Sequence, residues 1–459
     1  MIAATWWGRP VLPLPLLPGV PARHGFDFRS FLLEREVFCF LEGLKEALQD
    51  WIKSGTARQG YCSRTPETAH CGRTFPIQWA TGKAPTGTRH HLSTPISWAR
   101  MWPMREERMP VSPELTLNIL FDIFDVAPAE GLGRLIRAAR QAHYTLPYLV
   151  LSVIERDGIA MGPAAAGELA RARRRALHYR DVLERLPTDT GFTVLKGQSL
   201  ASAYPPGVLR PQGDIDLLVP DEEQLWRLVG ELSDSAPTAV WVTLLGQERH
   251  LLVTMVWPPE EPLLDPEHRV ELSTAALMGN ADVPIRVHPP EDPWLRNLMC
   301  LAEERLQRPF HPRDALDLYM LAGQHIPDAN DLVRTAARFQ LSAEVAELVR
   351  YTAAALPVDG LVTMLPALDQ AGDTEHERRR SQEVPSAPAT TADSLASGLP
   401  LHGIHLGPLP PGAAVTRIRI HRYGDEALLL TPVGVYLLVS EALVSHERHE
   451  RAHAELAGL

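Results

Sequence analysis

The sequence is poor in cysteine, in long apolar runs and in net positive charge. Its four cysteines are too few and too scattered for a disulfide framework, so we expect a reducing compartment. No run of about 18 uncharged apolar residues occurs, and the proline-broken N-terminus lacks the basic start of a signal peptide. We therefore expect a cytoplasmic protein with no membrane partner. The formal net charge of −11 argues against bulk electrostatic coating of nucleic acid but leaves a local basic groove open.

The composition is otherwise typical of a globular protein with several domains. A chain of 459 residues is long enough for two to four of them. The apolar content of 45% and the charged content of 22% are ordinary. Proline is enriched, since its 41 residues are about 9% of the chain against roughly 5% usually. The excess falls mostly outside the central region.

Residues 1–108 differ from the rest of the chain because they show little periodicity and much Pro, Gly, Thr and Arg. We expect them to be a poorly patterned N-terminal extension that is partly disordered. One hypothesis is that translation naturally starts near Met109. Cys62 and Cys71 have no second close-spaced pair that would complete a zinc site, so we interpret them as ordinary thiols.

Residues 109–357 show helices, then short β-rich runs, then helices again. The clearest helical periodicity covers 164–186, whose arginines at 171 and 173–175 we interpret as a solvated face, with a phosphate or RNA contact as the alternative. The β-rich runs fall at 191–195, 215–219, 240–245, 250–257 and 269–272. This order predicts an α/β (α+β) fold in which a small mixed β-sheet is flanked by helical segments.

Two further segments follow this central region. Residues 369–412 are polar, rich in Pro, Ala, Ser and Thr, and without a core pattern, so we expect a disordered linker. Residues 413–459 recover apolar alternation and then helical periodicity. They predict a small C-terminal unit made of a β-meander and a helix.

The stretch 195–220, LKGQSLASAYPPGVLRPQGDIDLLVP, carries the candidate catalytic and ligand-binding residues. Asp214 and Asp216 lie two positions apart at the start of a strand, so their side chains share a face, roughly 6.5 Å apart along the chain. Two carboxylates held in this way suit a divalent metal, and such metals serve phosphoryl chemistry. The alternative is an ordinary strand-entry turn, in which aspartate is common.

Three neighbouring features favour the metal site. Gly197 follows an apolar strand and precedes a short helix, where a phosphate can approach free backbone N–H groups. Glu271 lies in the alternating pattern of a later strand that could run beside the aspartates. Lys196 and Arg210 bracket the loop and could neutralise phosphate charge. Lys196 could instead pair with an aspartate, and Arg210 could instead brace the loop.

This set of residues predicts nucleotidyl transfer. Asp214 and Asp216 would hold Mg²⁺ (or Mn²⁺) on a nucleoside triphosphate such as ATP. A second metal, bridged by the same acids and Glu271, would lower the pKa of the attacking hydroxyl. The alternative role for Glu271 is that of general base.

The same stretch resembles the signature of an uncharacterised nucleotidyltransferase family within the polymerase-β-like superfamily. That family has a strand ending in Leu-Lys-Gly, a Tyr-Pro and Leu-Arg-Pro loop, and then Gly-Asp-hydrophobic-Asp-Leu-Leu-Val. The matching residues are Lys196, Gly197, Tyr204, Arg210, Pro211, Gly213, Asp214 and Asp216. The resemblance covers about residues 112–355 and implies a polymerase-β-like fold with catalytic metal ligands at Asp214, Asp216 and Glu271. It also implies nucleotide contacts at Lys196, Gly197, Arg210 and the nearby Ser199.

Two departures from the family pattern keep other hypotheses open. Gln198 separates Gly197 from Ser199 where the superfamily commonly has Gly-Ser, and Leu272-Ser273 stands where His-Trp is usual. These departures favour a catalytically reduced nucleotidyltransferase fold that binds nucleotide or a partner only. A third hypothesis is a nucleotide-transferring member of a toxin–antitoxin pair. No motif specifies whether the acceptor is a small molecule, a protein or an RNA.

Overall fold

The computed structural model of the protein describes residues 113–324, 326–382, 390–441 and 443–459. The predictions made for residues 1–108 lie outside these ranges. Helices and a mixed β-sheet build the described part, which confirms the predicted α/β (α+β) fold class. None of the described helices combines the length and the apolar content that a membrane crossing requires.

Within the described ranges, four α-helices precede the sheet. They are Leu117–Ile123 (α1), Leu132–Ala142 (α2), Leu146–Arg156 (α3) and Pro163–Arg185 (α4). Helix α3 is apolar along most of its length, and all of its residues from Leu146 to Ile154 are buried. A helix that is apolar on every side has to lie inside a protein, so α3 forms the centre of a helical core.

Nine strands of the described chain form one mixed sheet. They are Thr193–Leu195 (β1), Ile215–Leu218 (β2), Ala239–Leu245 (β3), His250–Trp257 (β4), His268–Ser273 (β5), Leu401–Gly407 (β6), Arg419–Tyr423 (β7), Glu426–Thr431 (β8) and Gly434–Val439 (β9). Their order is β1-β2-β5-β4-β3-β6-β9-β8-β7. Strands β2 and β5 pair in parallel, and the other neighbours are antiparallel. The short helix Gly197–Ala201 (α5) follows β1, and Glu222–Ser233 (α6) follows β2.

The remaining described helices lie between β5 and β6, apart from one at the C-terminus. They are Pro293–Glu303 (α7), Pro312–Ala322 (α8), Ala329–Phe339 (α9), Ser342–Ala353 (α10), Asp359–Val362 (α11), Leu365–Ser381 (α12), Thr391–Ser397 (α13) and His446–Ala457 (α14). A 3₁₀ turn, Glu304–Leu306, extends α7. Residues of α7 to α12 share the core of α3, so the two helical regions form one hydrophobic cluster.

One face of β2 and β5 is apolar and the other is polar. Ile215, Leu217 and Val270 are buried in the core that α4 and α6 cover. Since successive side chains of a strand alternate between faces, Asp216 and Glu271 point to the opposite face. The alternation therefore fixes the side of the sheet that carries the acids.

The C-terminal strands belong to this same sheet, which corrects the predicted domain division. The sequence predicts a disordered linker over 369–412 and a separate unit over 413–459. Strand β6 instead pairs with β3, with Val242 opposite Gly403, and β9, β8 and β7 continue the sheet from there. Gly403 permits a close approach, because a Cβ at this position would lie 2.9 Å from the Cβ of Tyr436. The meander and the terminal helix exist, but the meander is an extension of the central sheet.

The predicted linker also contains most of helix α12. Its sequence is polar, so apolar periodicity does not reveal it, and specific contacts hold it on α10. Glu375 accepts a hydrogen bond from the backbone N–H of Ser342 at 3.0 Å. Gly372 packs so closely that a Cβ would lie 3.2 Å from the Cα of Ala343. Residues 383–389 of the predicted linker lie outside the described ranges.

Candidate active site

Helix α4 fixes the end of the loop that carries the aspartate pair. Tyr179 Oη donates a hydrogen bond to the carbonyl oxygen of Gly213 at 2.6 Å, and Arg175 donates to the same oxygen at 3.0 Å. Gln212 Nε2 donates to the carbonyl oxygen of Asp214 at 2.9 Å. Arg175 is 6% exposed, so the prediction of a solvated arginine face is wrong for this residue. It positions the loop before β2.

The predicted acids lie on neighbouring parallel strands. Asp216 lies directly beside Glu271 in the register between β2 and β5, so their side chains share a face. Asp214 immediately precedes β2. The distance between adjacent strands is about 4.8 Å, which places the backbone positions of Asp216 and Glu271 close together. The structure thus places Asp216 and Glu271 on one side of the sheet, with Asp214 directly before β2.

Asp216 lies in an environment that disfavours its negative charge. Burial and the negative charge of Asp214 raise the pKa of Asp216 to about 6. Lys196, whose Nζ lies 3.9 Å from Asp216 Oδ2, acts in the opposite direction without cancelling this rise. The aspartate pair therefore carries an electrostatic repulsion that a further cation would relieve.

The aspartate pair fits a divalent cation. Carboxylate oxygens are the ligands that Mg²⁺ prefers in proteins, and a cation between the two groups would remove the repulsion that raises the pKa of Asp216. Across the described ranges, however, no group of three or more His, Cys, Asp or Glu side chains is arranged to hold a metal. Asp214 and Asp216 would therefore hold the cation, and the role of Glu271 as a third ligand stays a prediction.

We predict that Asp216→Asn stabilises the metal-free protein at neutral pH. The pKa of Asp216 in the folded protein, about 6, lies above its ordinary value of 3.8, so folding destabilises the ionised carboxylate. The expected gain in the free energy of unfolding is about 3 kcal/mol at about pH 8. It shrinks as the pH falls through about 6 and vanishes below about pH 4, where the carboxyl is protonated in both states. Urea unfolding in a chelating buffer measures this gain, and a gain that does not change with pH would contradict the pKa argument.

Lys196 is held between two carboxylates. Its Nζ lies 2.6 Å from Glu304 Oε1 and 3.9 Å from Asp216 Oδ2. Burial alone would lower the pKa of Lys196, but the charges of Glu304 and Asp216 outweigh burial and raise this pKa, so the lysine stays charged. Of the two predicted roles, the structure shows the pairing with acids. A contact with triphosphate stays a prediction.

Gly197 and Ser199 lie in the short helix α5. Gly197 has a φ of +34°, and a Cβ there would lie 3.3 Å from Gln212 Nε2, so both the conformation and the space favour glycine. Asn297 Nδ2 of α7 donates a hydrogen bond to Ser199 Oγ at 3.0 Å. Local packing therefore accounts for Gly197, and a hydrogen bond to Asn297 accounts for Ser199. The predicted phosphate contacts of both residues stay predictions.

Arg210 ties its loop to helix α8, which corrects its assignment as a nucleotide contact. Its Nε and one terminal nitrogen bind the two carboxylate oxygens of Asp317 at 2.8 and 2.7 Å. The two side chains are 6% and 0% exposed. Tyr204 Oη donates a hydrogen bond to the same carboxylate at 2.7 Å. Because its guanidinium is held in this buried ion pair, Arg210 has the alternative predicted role and braces the loop.

Comparison of the chain with protein-family models, with curated proteins and with solved structures finds no match. These comparisons neither support nor contradict the resemblance of the stretch 195–220 to a nucleotidyltransferase signature.

The sequence interpretation missed the charged residues that the helices contribute. Glu304 binds Lys196, and Arg308 binds Glu304 at 3.1 Å and Asp314 at 2.6 Å. Asp314 and Asp317 are fully buried. Their segment, PRDALDLYMLA, does contain a signal, because charged residues inside an otherwise apolar helix have to be buried with partners.

We predict that Asp317→Asn destabilises the fold strongly. The change leaves the buried guanidinium of Arg210 without a counter-charge, and breaking a buried ion pair in this way costs about 3–5 kcal/mol of unfolding free energy. Urea unfolding measures the loss. The matched control is Asp331→Asn, since Asp331 forms an exposed pair with Arg334, and we expect that change to cost under about 1 kcal/mol. Equal, small losses in both variants would contradict a structural role for the Arg210–Asp317 pair.

Proposed function

We propose that the protein is a divalent-metal-dependent nucleotidyltransferase. It would transfer a nucleoside monophosphate from a nucleoside triphosphate, such as ATP, to a hydroxyl of an acceptor molecule. The observation that carries this proposal is the position of Asp214 and Asp216 at the start of β2, with Glu271 in register beside Asp216 on the parallel strand β5.

In this proposal, the chain binds and orients the nucleotide and the acceptor, while the cation would supply positive charge. Asp214 and Asp216 would hold Mg²⁺ or Mn²⁺. A divalent cation bound there neutralises phosphate charge and lowers the pKa of the attacking hydroxyl. Asp216 has to be ionised to bind a cation, so its raised pKa of about 6 limits activity at acidic pH. Glu271 would accept the proton of the acceptor hydroxyl or complete the ligand set.

Lys196 has a supporting role in this proposal. Its positive charge, 3.9 Å from Asp216, moderates the repulsion between the two aspartates before a cation binds. Glu304 and Arg308 hold the lysine in place through their ion pairs. The charged groups of the site are therefore held in fixed positions. This suits phosphoryl transfer, in which the protein mainly positions groups and stabilises charge.

The test is the transfer of label from nucleoside triphosphates. The protein is incubated with each α-labelled nucleoside triphosphate, Mg²⁺ or Mn²⁺, and a cell extract that supplies acceptors. We expect a labelled product with the natural sequence and none with Asp214→Asn. The control is Asp189→Asn, because Asp189 is exposed and paired with Arg227 outside the site. Equal labelling by Asp214→Asn and the natural sequence would refute the proposal.

Binding without turnover is the second candidate function. It is favoured by the finding that, across the described ranges, no set of three or more acidic or other ligating side chains is arranged around a metal position. A protein of this kind would bind a nucleoside triphosphate and yield no labelled product in the same assay, with or without the Asp214→Asn change.

A further inference from the structure

Arg313, in the first turn of α8, differs from the other cations around the aspartate pair. Lys196, Arg210 and Arg308 each form an ion pair with a buried or half-buried carboxylate at 2.6 to 2.7 Å. Arg313 forms no ion pair or hydrogen bond with any residue in the part of the chain that the structure describes. Its Nε is shielded from solvent and has no partner.

The charge of Arg313 nevertheless acts on the site. Burial alone would lower its pKa, but the negative charges of Asp314, Glu304 and Asp317, with that of Asp214, outweigh burial and raise it. The positive charge of Arg313 in turn lowers the pKa of Asp216. The guanidinium therefore stays charged and lies within electrostatic reach of both aspartates.

An arginine in this position has unused hydrogen-bonding capacity. A guanidinium carries five N–H donors in a fixed plane, and a donor buried without an acceptor costs free energy. The nearby carboxylates of Glu304, Asp314 and Asp317 are occupied by Lys196, Arg308 and Arg210. An anionic ligand with oxygens arranged for two parallel hydrogen bonds would match the free donors, and phosphate has this geometry.

We propose that Arg313 forms an anion subsite that takes the phosphate chain of a metal–nucleoside triphosphate. This inference rests on the proposed function, since the aspartate pair would hold the metal of the same complex. In this proposal Arg313, and not Arg210, is the cation that contacts phosphate. The surrounding carboxylates repel a free polyanion, so the ligand is the metal complex and not the triphosphate alone.

The test measures binding of inorganic triphosphate in the presence of Mg²⁺ by isothermal titration calorimetry. We expect the natural sequence to bind it, and we expect Arg313→Lys and Arg313→Gln to raise Kd by at least about tenfold, because a lost charge-assisted bidentate contact has this size. Arg313→Lys keeps the buried positive charge, so the fold is retained while the planar fork is lost. The control is Arg305→Gln, since Arg305 is half-exposed and paired with Glu347.

The outcomes separate this inference from the proposed function. Unchanged Kd in both Arg313 variants, or no binding of triphosphate by the natural sequence, would overturn the inference. If label transfer occurs and Arg313→Lys leaves the KM for nucleotide unchanged, the inference fails and the proposed function stands. If Arg313 variants lose triphosphate binding and no label is ever transferred, the subsite stands and the transferase proposal fails.

Discussion

Replacing Asp216 with asparagine is expected to lower the rate of metal-dependent nucleotide transfer by at least about 10³-fold. Metal-ion catalysis contributes several kcal/mol of transition-state stabilisation, and each 1.36 kcal/mol or so corresponds to a factor of ten in rate. Asparagine keeps the size of the side chain but removes the negative charge that would bind the cation. The fold should persist, since the same change relieves the repulsion from Asp214 that raises the pKa of Asp216.

The expected signature is therefore a variant that is inactive and more stable. The measurement pairs initial rates of label transfer with urea unfolding of the same preparation. The control is Asp234→Asn, because Asp234 is an exposed residue at the end of α6 and should leave the rate and the stability unchanged. An Asp216→Asn variant that retains the natural rate would contradict the assignment of this residue to the metal site.

Removing strands β6 to β9 is expected to prevent folding of the whole described part. A chain that ends at residue 382 lacks Leu429, Tyr436 and Leu438, which are buried in one core with Val242 and Leu244 of β3. Strand β3 would also become an unprotected edge with apolar residues. The lost burial amounts to about 1.5–3 kcal/mol for each large side chain, which is comparable with a total stability of about 5–15 kcal/mol.

Solubility and cooperative unfolding of the shortened chain measure this effect. The matched control ends at residue 440, which removes α14 but keeps all nine strands of the described sheet. Ala452 is the residue of α14 that is buried, so we expect the control to unfold cooperatively with a smaller loss of stability. A soluble, cooperatively unfolding chain that ends at residue 382 would restore the predicted division into separate units.

The sequence was sufficient to predict the parts of the fold that local patterns encode. The period-two alternation of Ile215, Asp216 and Leu217 predicts both a strand and the side on which the acid lies. The same alternation around Glu271 predicts its side of β5, and the structure places it beside Asp216. The fold class follows from the order of these patterns along the chain.

Long-range pairing was beyond this kind of prediction. The strand β6 contains His402, Gly403 and His405, so its local pattern is weak, and it becomes a strand because it pairs with β3 about 160 residues earlier. Helix α12 depends on a buried hydrogen bond from Ser342 to Glu375. Neither contact has a local signature, which explains why the predicted linker is wrong.

In the candidate site, too, local patterns could be predicted from the sequence and long-range contacts could not. The sequence points to the aspartate pair because Asp214 and Asp216 lie two positions apart at the start of a strand. It does not show which cation is free, since Arg210 becomes committed only when Asp317 of α8 packs against its loop, 107 residues away. The partners of a charged side chain are set by tertiary contacts, and they decide whether its charge is available to a ligand.

The measurement that tests the central claim most directly is Mn²⁺ binding in the presence of a non-hydrolysable ATP analogue. Electron paramagnetic resonance monitors this binding. We predict that the natural sequence binds Mn²⁺ and that the double variant Asp214→Asn/Asp216→Asn binds it at least about tenfold more weakly, because each carboxylate would be a direct ligand. Equal Mn²⁺ affinity in the two proteins would contradict the claim that the aspartate pair is the metal site.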